Sequence, residues 1–179
     1  MTSPIRIIFV TPQRGTFEQF RDRLDGLIRE SAPLKMTFSY DEEGHQEICH
    51  FVFKWMDAEG RSADFHVTTI LMGDRFHPFL GLVTARDHKI YYVSDTGVSG
   101  LLSELIMMKA LLHRDPCQPM ANILGCLYFP KDPVQINQSF LKEISGAIGT
   151  PIYWESFDHM GVLGRFIFQK LMQEPSNQT

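Results

Sequence analysis

Seven histidines, three cysteines and 21 acidic residues are the groups in this 179-residue chain that could do chemistry. Cys49 and His50 are adjacent, so on a strand they point to opposite faces and form no nucleophile-base pair. Asp64 and His66 share a face, as do Cys49 and Phe51, but neither HExxH nor CxxC spacing occurs. The pattern therefore predicts no metal site. Cys49, Cys117 and Cys126 are odd in number and widely spaced, which argues against a disulfide framework and for buried thiols. A Ser-His-Asp grouping stays open, although the G-x-S-x-G elbow is missing. Thr11-Pro12 follows the first apolar run, where a phosphorelay receiver needs an acidic pair.

Elements that could position such groups are marked by the apolar pattern. Strand-length apolar runs alternate with longer amphipathic stretches, the signature of an α/β domain with a central, mostly parallel sheet. Ile5 to Val10 reads as the first strand. Phe17, Phe20, Leu24, Leu27 and Ile28 then fall on one helical face, with Thr16 and Gln19 as a helix capping box. Residues 46–56 and 62–71 read as two strands of a hairpin turning at Asp57-Ala58-Glu59-Gly60, which requires one antiparallel strand at or near a sheet edge. Further strands are expected at 89–94, 122–129 and 152–154, and helices at 100–112, from Asp132 to about Ile148, and at 162–172. Asp132 reads as the N-cap of the second of these, ahead of Pro133. The expectation is one domain over residues 1–173 and a flexible tail at 174–179.

Composition narrows the function. The chain is 44% hydrophobic and 21% charged, as in a folded globular protein. Polar residues interrupt every apolar run before the roughly 20 residues of a membrane span. The first residues do not resemble a signal peptide, so a cytoplasmic protein is expected. A net charge of -4 and a pI near 5.9 argue against nucleic acid as a partner.

FHVTTI (65–70), KIYYVSD (89–95) and NILGCLYFPKD (122–132), with the order strand, loop, helix, hairpin, strand, helix, strand, helix, strand, helix, resemble the Ras-like small GTPases. Within these, the chain is most similar to the bacterial motility and polarity branch of mutual gliding protein A type. The resemblance covers nearly the whole chain. It implies a three-layer, P-loop type domain with a mixed, mostly parallel six-stranded sheet.

The family's nucleotide motifs are degenerate here. A phosphate loop reads G-x-x-x-x-G-K-[ST], whereas the matching stretch is Val10-Thr11-Pro12-Gln13-Arg14-Gly15-Thr16-Phe17. Gly15 survives, Thr16 replaces the lysine, and Phe17 replaces the hydroxyl that anchors Mg²⁺. Arg14 is a loop cation in this alignment. The base-reading Asn-Lys-x-Asp becomes Phe129-Pro130-Lys131-Asp132, in which only Asp132 matches. Gly73 is the remnant of the γ-phosphate-sensing glycine, with Asp74 beside it. The first switch falls in residues 34–45, where Tyr40-Asp41-Glu42-Glu43 brings acids that repel a polyphosphate. The second switch, the family's partner surface, falls on residues 75–82, where Phe76, His77, Phe79 and Leu80 form either an aromatic anchor patch or part of the core.

The resemblance thus implies a pseudo-GTPase: no catalytic residues, no metal and no cofactor, acting as an interaction module in polarity, motility or related signalling. Expected partners are a roadblock-type regulator, another GTPase-like protein or a second copy of itself. The alternative is an active, divergent GTPase binding GTP or GDP, with Arg14 and Asp132 in place of the missing lysine and base reader.

Overall fold

The computed structural model describes residues 3–31, 33–40, 46–72, 88–112, 122–133 and 136–174. Among these residues seven strands form one sheet: β1 (Ile5–Thr11), β2 (Leu34–Tyr40), β3 (Gln46–Met56), β4 (Ser62–Leu71), β5 (His88–Ser94), β6 (Asn122–Tyr128) and β7 (Ile152–Trp154). Their order across the sheet is β2-β3-β4-β1-β5-β6-β7. β3 runs antiparallel to both its neighbours, while β4, β1, β5, β6 and β7 are mutually parallel. The expected hairpin is present, and its antiparallel strand stands next to the edge. The seventh strand is an addition to the six expected. Leu34, Met36, Phe38 and Tyr40 alternate with Lys35, Thr37 and Ser39, a strict period of two that pairs with β3 as the outermost strand. The stretch 34–40 is thus strand where a switch loop was expected, and 41–45 lie outside the described residues.

Four helices among the described residues cover the sheet: α1 (Arg14–Arg29), α2 (Val98–Leu112), α3 (Gln138–Ile148) and α4 (Met160–Gln173). Because parallel strands are buried on both faces, alternate residues of β1 feed two separate cores. Ile7 and Phe9 pack with α1 and α4 through Phe20, Leu24, Leu27, Ile167 and Phe168. Ile8 and Val10 pack with α2 and α3 through Leu101, Leu105, Leu141 and Ile144. The result is a three-layer α/β domain. Tyr91 and Tyr92, consecutive on β5, enter opposite cores, and each buried hydroxyl has no hydrogen-bond partner. Burial pushes both phenols above their ordinary range.

Helix starts differ from the sequence expectation. α1 begins at Arg14, with Gln13 as its N-cap, so Thr16 lies inside the first turn and caps nothing. The Thr16–Gln19 capping box is therefore not formed, although Phe17 and Phe20 are fully buried as expected. α3 begins at Gln138 rather than Asp132. Asn137 is its cap, accepting hydrogen bonds from the N–H groups of Ser139 (3.0 Å) and Phe140 (3.4 Å). Its other end stops at Gly149, whose φ of 73° is left-handed and whose N–H donates to Ser145 O. α4 begins at Met160, after a short 3-10 turn over Phe157–His159, and packs on α1. Gly164 faces Leu27 so closely that an added Cβ would lie 2.5 Å from Leu27 Cδ2. Just past the end of α4, Glu174 takes a hydrogen bond from Lys89 Nζ at 2.7 Å.

Candidate functional site

In an open parallel sheet, ligands bind outside the carboxyl ends of the strands, where neighbouring strands connect in opposite directions. Here that position lies between β1, whose chain leads on toward β4, and β5, whose chain leads on toward β6. The carboxyl ends of β1 and β4 are zipped together. Thr11 Oγ1 donates to Ile70 O at 3.0 Å, and the Met72 N–H donates to Thr11 O at 2.7 Å.

Only Pro12 and Gln13 separate β1 from α1. A phosphate loop surrounds its ligand with backbone N–H groups from a longer run of residues, and this connection has no such length. The helix hydrogen bond from Phe17 N to Gln13 O (2.9 Å) follows at once.

Across the crevice the chain supplies its own anion. Thr16 Oγ1 donates to Asp95 Oδ1 at 2.6 Å, bringing the carboxylate that follows β5 to the first turn of α1. A negative charge there is favoured by the helix dipole, as a phosphate would be. Behind Asp95 is a second acid. Ser94 Oγ donates to Glu104 Oε1 of α2, and the Thr96 N–H donates to Ser94 Oγ at 3.3 Å. Tyr128 OH donates to Thr96 O (3.0 Å), which pins the turn between β5 and α2 to β6. Burial pushes the Glu104 carboxyl above its usual range; the Ser94 hydrogen bond opposes this and the nearby Asp95 adds to it.

The residues expected to carry nucleotide chemistry are dispersed. Thr16 is buried against Asp95. Phe17 is in the core. Arg14 is the first residue of α1 and half-buried rather than a loop cation, and Gly15 is exposed in the first turn with open space where a Cβ would stand. Phe129, at the family's base-reading Asn, is core: its ring stacks on Phe157 at 4.4 Å, and its N–H donates to Ser94 O. Asp132 is exposed beyond β6. Gly73, Asp74, Phe76, His77, Phe79 and Leu80 lie outside the described residues, as does Cys117. Cys49 and Cys126 are buried, and burial pushes the Cys49 thiol up to about 12 despite the opposing charge of Arg21.

Among the described residues, the other polar groupings lack the geometry of a triad. Ser156 Oγ lies 3.0 Å from His159 Nδ1, and Glu155 Oε1 is 3.9 Å from the same nitrogen. A triad needs nucleophile and acid on opposite ring nitrogens. His50 and Cys49 point to opposite faces, as expected, and His50 Nδ1 meets Thr68 Oγ1 at 2.8 Å. Among the described residues no three His, Cys, Asp or Glu side chains are grouped to hold a metal ion, and no helix is long and apolar enough to cross a membrane.

Sequence reasoning missed Asp95, Ser94 and Glu104. The available signal was an acid directly after a buried strand, in the block KIYYVSD. No protein-family model matches the chain, and no curated protein matches its sequence.

Proposed function

We propose that this chain is a small-GTPase-like α/β domain that no longer takes Mg²⁺ and nucleotide and works as a protein-interaction module, in cell polarity, motility or related signalling. The observation that carries this reading is Asp95 bonded to Thr16 at the first turn of α1. A phosphate entering there meets a carboxylate already in place and Glu104 behind it, and the β1–α1 connection offers neither a lysine nor the length to surround it. The short β1–α1 connection and the core positions of Phe17 and Phe129 support the same reading. So does the succession of strands and helices after β2, which agrees with the order the resemblance implies. On this reading the working compartment is the cytoplasm, and the functional surface lies outside the strand ends.

Thermal melting with GTP, GDP or ATP and Mg²⁺, beside mass spectrometry of whatever the purified protein releases on denaturation, tests the proposal. A ligand at one hundred times its Kd stabilises by about 2.7 kcal/mol, so binding is readily seen. The expected result is no shift and no released nucleotide. Guanine nucleotide in near-stoichiometric amount overturns it and turns attention to Arg14 and Asp132. Reinstating the family residues with Thr16→Lys and Phe17→Thr is expected to lower stability by roughly 3 kcal/mol or more, since a buried ring is lost, and to gain no nucleotide.

A further inference from the structure

β7 is the last strand in the sheet order, and among the described residues nothing pairs with its outer edge. Its backbone polarity is fixed by the inner side. Cys126 N donates to Pro151 O, and Glu155 N donates to Tyr128 O, in register with Cys126↔Ile152 and Tyr128↔Trp154. Residues of a strand alternate in the side to which their N–H and C=O point. Pro151, Tyr153 and Glu155 thus address β6, while Ile152 and Trp154 direct their N–H and C=O outward.

Apolar side chains stand on both flanks of this edge. On one face, Ile152 and Trp154 meet Leu141 and Pro151 around a groove of about 320 Å³, with Lys142 of α3 at its wall. On the other face, α4 turns Gly164 and Arg165 toward α1, where they meet Leu27 and Glu30. Its opposite flank, over β7, carries Val162, Phe166 and Lys170. Val162 is 61% and Phe166 47% exposed, and the Phe166 ring lies 5.8 Å from that of Tyr153. Lys170 Nζ donates to Tyr153 OH at 2.8 Å.

We propose that the outer edge of β7 is a homodimer contact, in which two copies of this chain pair their β7 strands antiparallel about a two-fold axis through Tyr153. An edge strand is a template for strand addition, and this edge is complementary to itself. Antiparallel pairing places Ile152 of each copy opposite Trp154 of the other, and both have outward N–H and C=O groups, so four backbone hydrogen bonds close. Trp154 of each copy then faces the other copy's Ile152 beside the groove. Charges agree as well. The pairing brings each Glu155 to the Pro151 end of the other strand. α4 runs back from the carboxyl end of β7 to Lys89 at the start of β5, so Lys170 stands toward that same end.

This names a partner for the interaction module proposed above and rests on that reading, yet its test is separate, since nucleotide melting reports nothing about assembly. Sedimentation equilibrium of the full chain from 1 to 200 µM is expected to show a monomer-dimer equilibrium between 20.6 kDa and twice that mass. Ile152→Pro removes one outward N–H from each copy and leaves the β6 ladder intact; at least a tenfold weaker dimer is expected. Glu155→Lys, which leaves every N–H and C=O of β7 in place and loses only the carboxylate that accepts from Ser156 N–H, is expected to weaken the dimer at least threefold, and adding Lys170→Glu to restore it. A monomer throughout the range overturns the proposal. So does a dimer whose dissociation constant neither Ile152→Pro nor Glu155→Lys changes.

Discussion

Thr16 and Asp95 stand 79 residues apart in the chain and are joined by a 2.6 Å hydrogen bond across the crevice between β1 and β5. Thr16→Val keeps the shape of the buried side chain and removes its donor. A hydrogen bond to a charged group contributes about 2 kcal/mol, and a loss of that size is expected in urea unfolding. Because both residues serve one bond, Thr16→Val combined with Asp95→Asn is expected to cost clearly less than the two changes summed.

The contact of α4 with α1 separates two glycines. A Cβ at Gly164 would meet Leu27 Cδ2 at 2.5 Å, whereas one at Gly161 would sit 3.8 Å from Leu27 Cδ1 in ordinary contact. Gly164→Ala is expected to destabilise by about 1–3 kcal/mol through overpacking, and Gly161→Ala to be neutral or to stabilise by up to about 1 kcal/mol through helix propensity. Leu27→Ala in the Gly164→Ala background relieves the clash, so that pair is expected to be non-additive.

Glu104 makes stability fall as pH rises above its unfolded pKa. Its carboxyl is raised in the folded state by burial, with Ser94 opposing and Asp95 adding. Between the unfolded and the folded pKa the native state holds a proton that the unfolded chain has lost, so stability is full below the unfolded value and declines as pH rises through the folded one. Asp57 has the opposite sign. Burial opposes its ionisation, but hydrogen bonds from the Arg61 side chain and the N–H groups of Arg61 and Glu59 hold it below the usual range. Its contribution is present above the unfolded pKa and is lost as pH falls through the folded one. Melting temperature against pH is expected to lose, in Glu104→Gln, the decline that sets in as pH rises past the ordinary glutamate pKa, and to lose part of its acid-side decline in Asp57→Asn.

Tyr92 buries a hydroxyl in the α2–α3 core without a partner. Tyr92→Phe is expected to raise stability by about 1 kcal/mol, since it removes an unsatisfied polar atom and keeps the ring. Urea denaturation with unchanged slope would show it.

Strands were legible because their signal is local. IRIIFV, FHVTTI and KIYYVSD are β-rich and bounded, and Asp57 and Gly60 mark the turn of the hairpin. β2 has an equally plain period of two, but the resemblance assigns that stretch to a switch. Helix starts were harder. Thr16–Gln19 and Asp132–Pro133 both satisfy a local capping pattern, but the Thr16 hydroxyl is drawn to Asp95, and Asn137 provides the cap for α3. Local chemistry offers several starts and a distant contact selects one. Asp95 carries only the local signal of an acid directly after a buried strand; its partner is not legible, because nothing within ten residues of it indicates that α1 will lie opposite.

β1 is the first element among the described residues and takes both of its partners from far downstream: β4 at Ser62–Leu71 on one side and β5 at His88–Ser94 on the other. As the polypeptide leaves the ribosome, the antiparallel run of β2, β3 and β4 can assemble from neighbouring sequence, while Ile5–Thr11 must wait for the middle of the chain. The strand at the centre of the finished sheet is thus made before either of its partners and seated late, and until β5 emerges the apolar segment IRIIFV lacks one of its two neighbours.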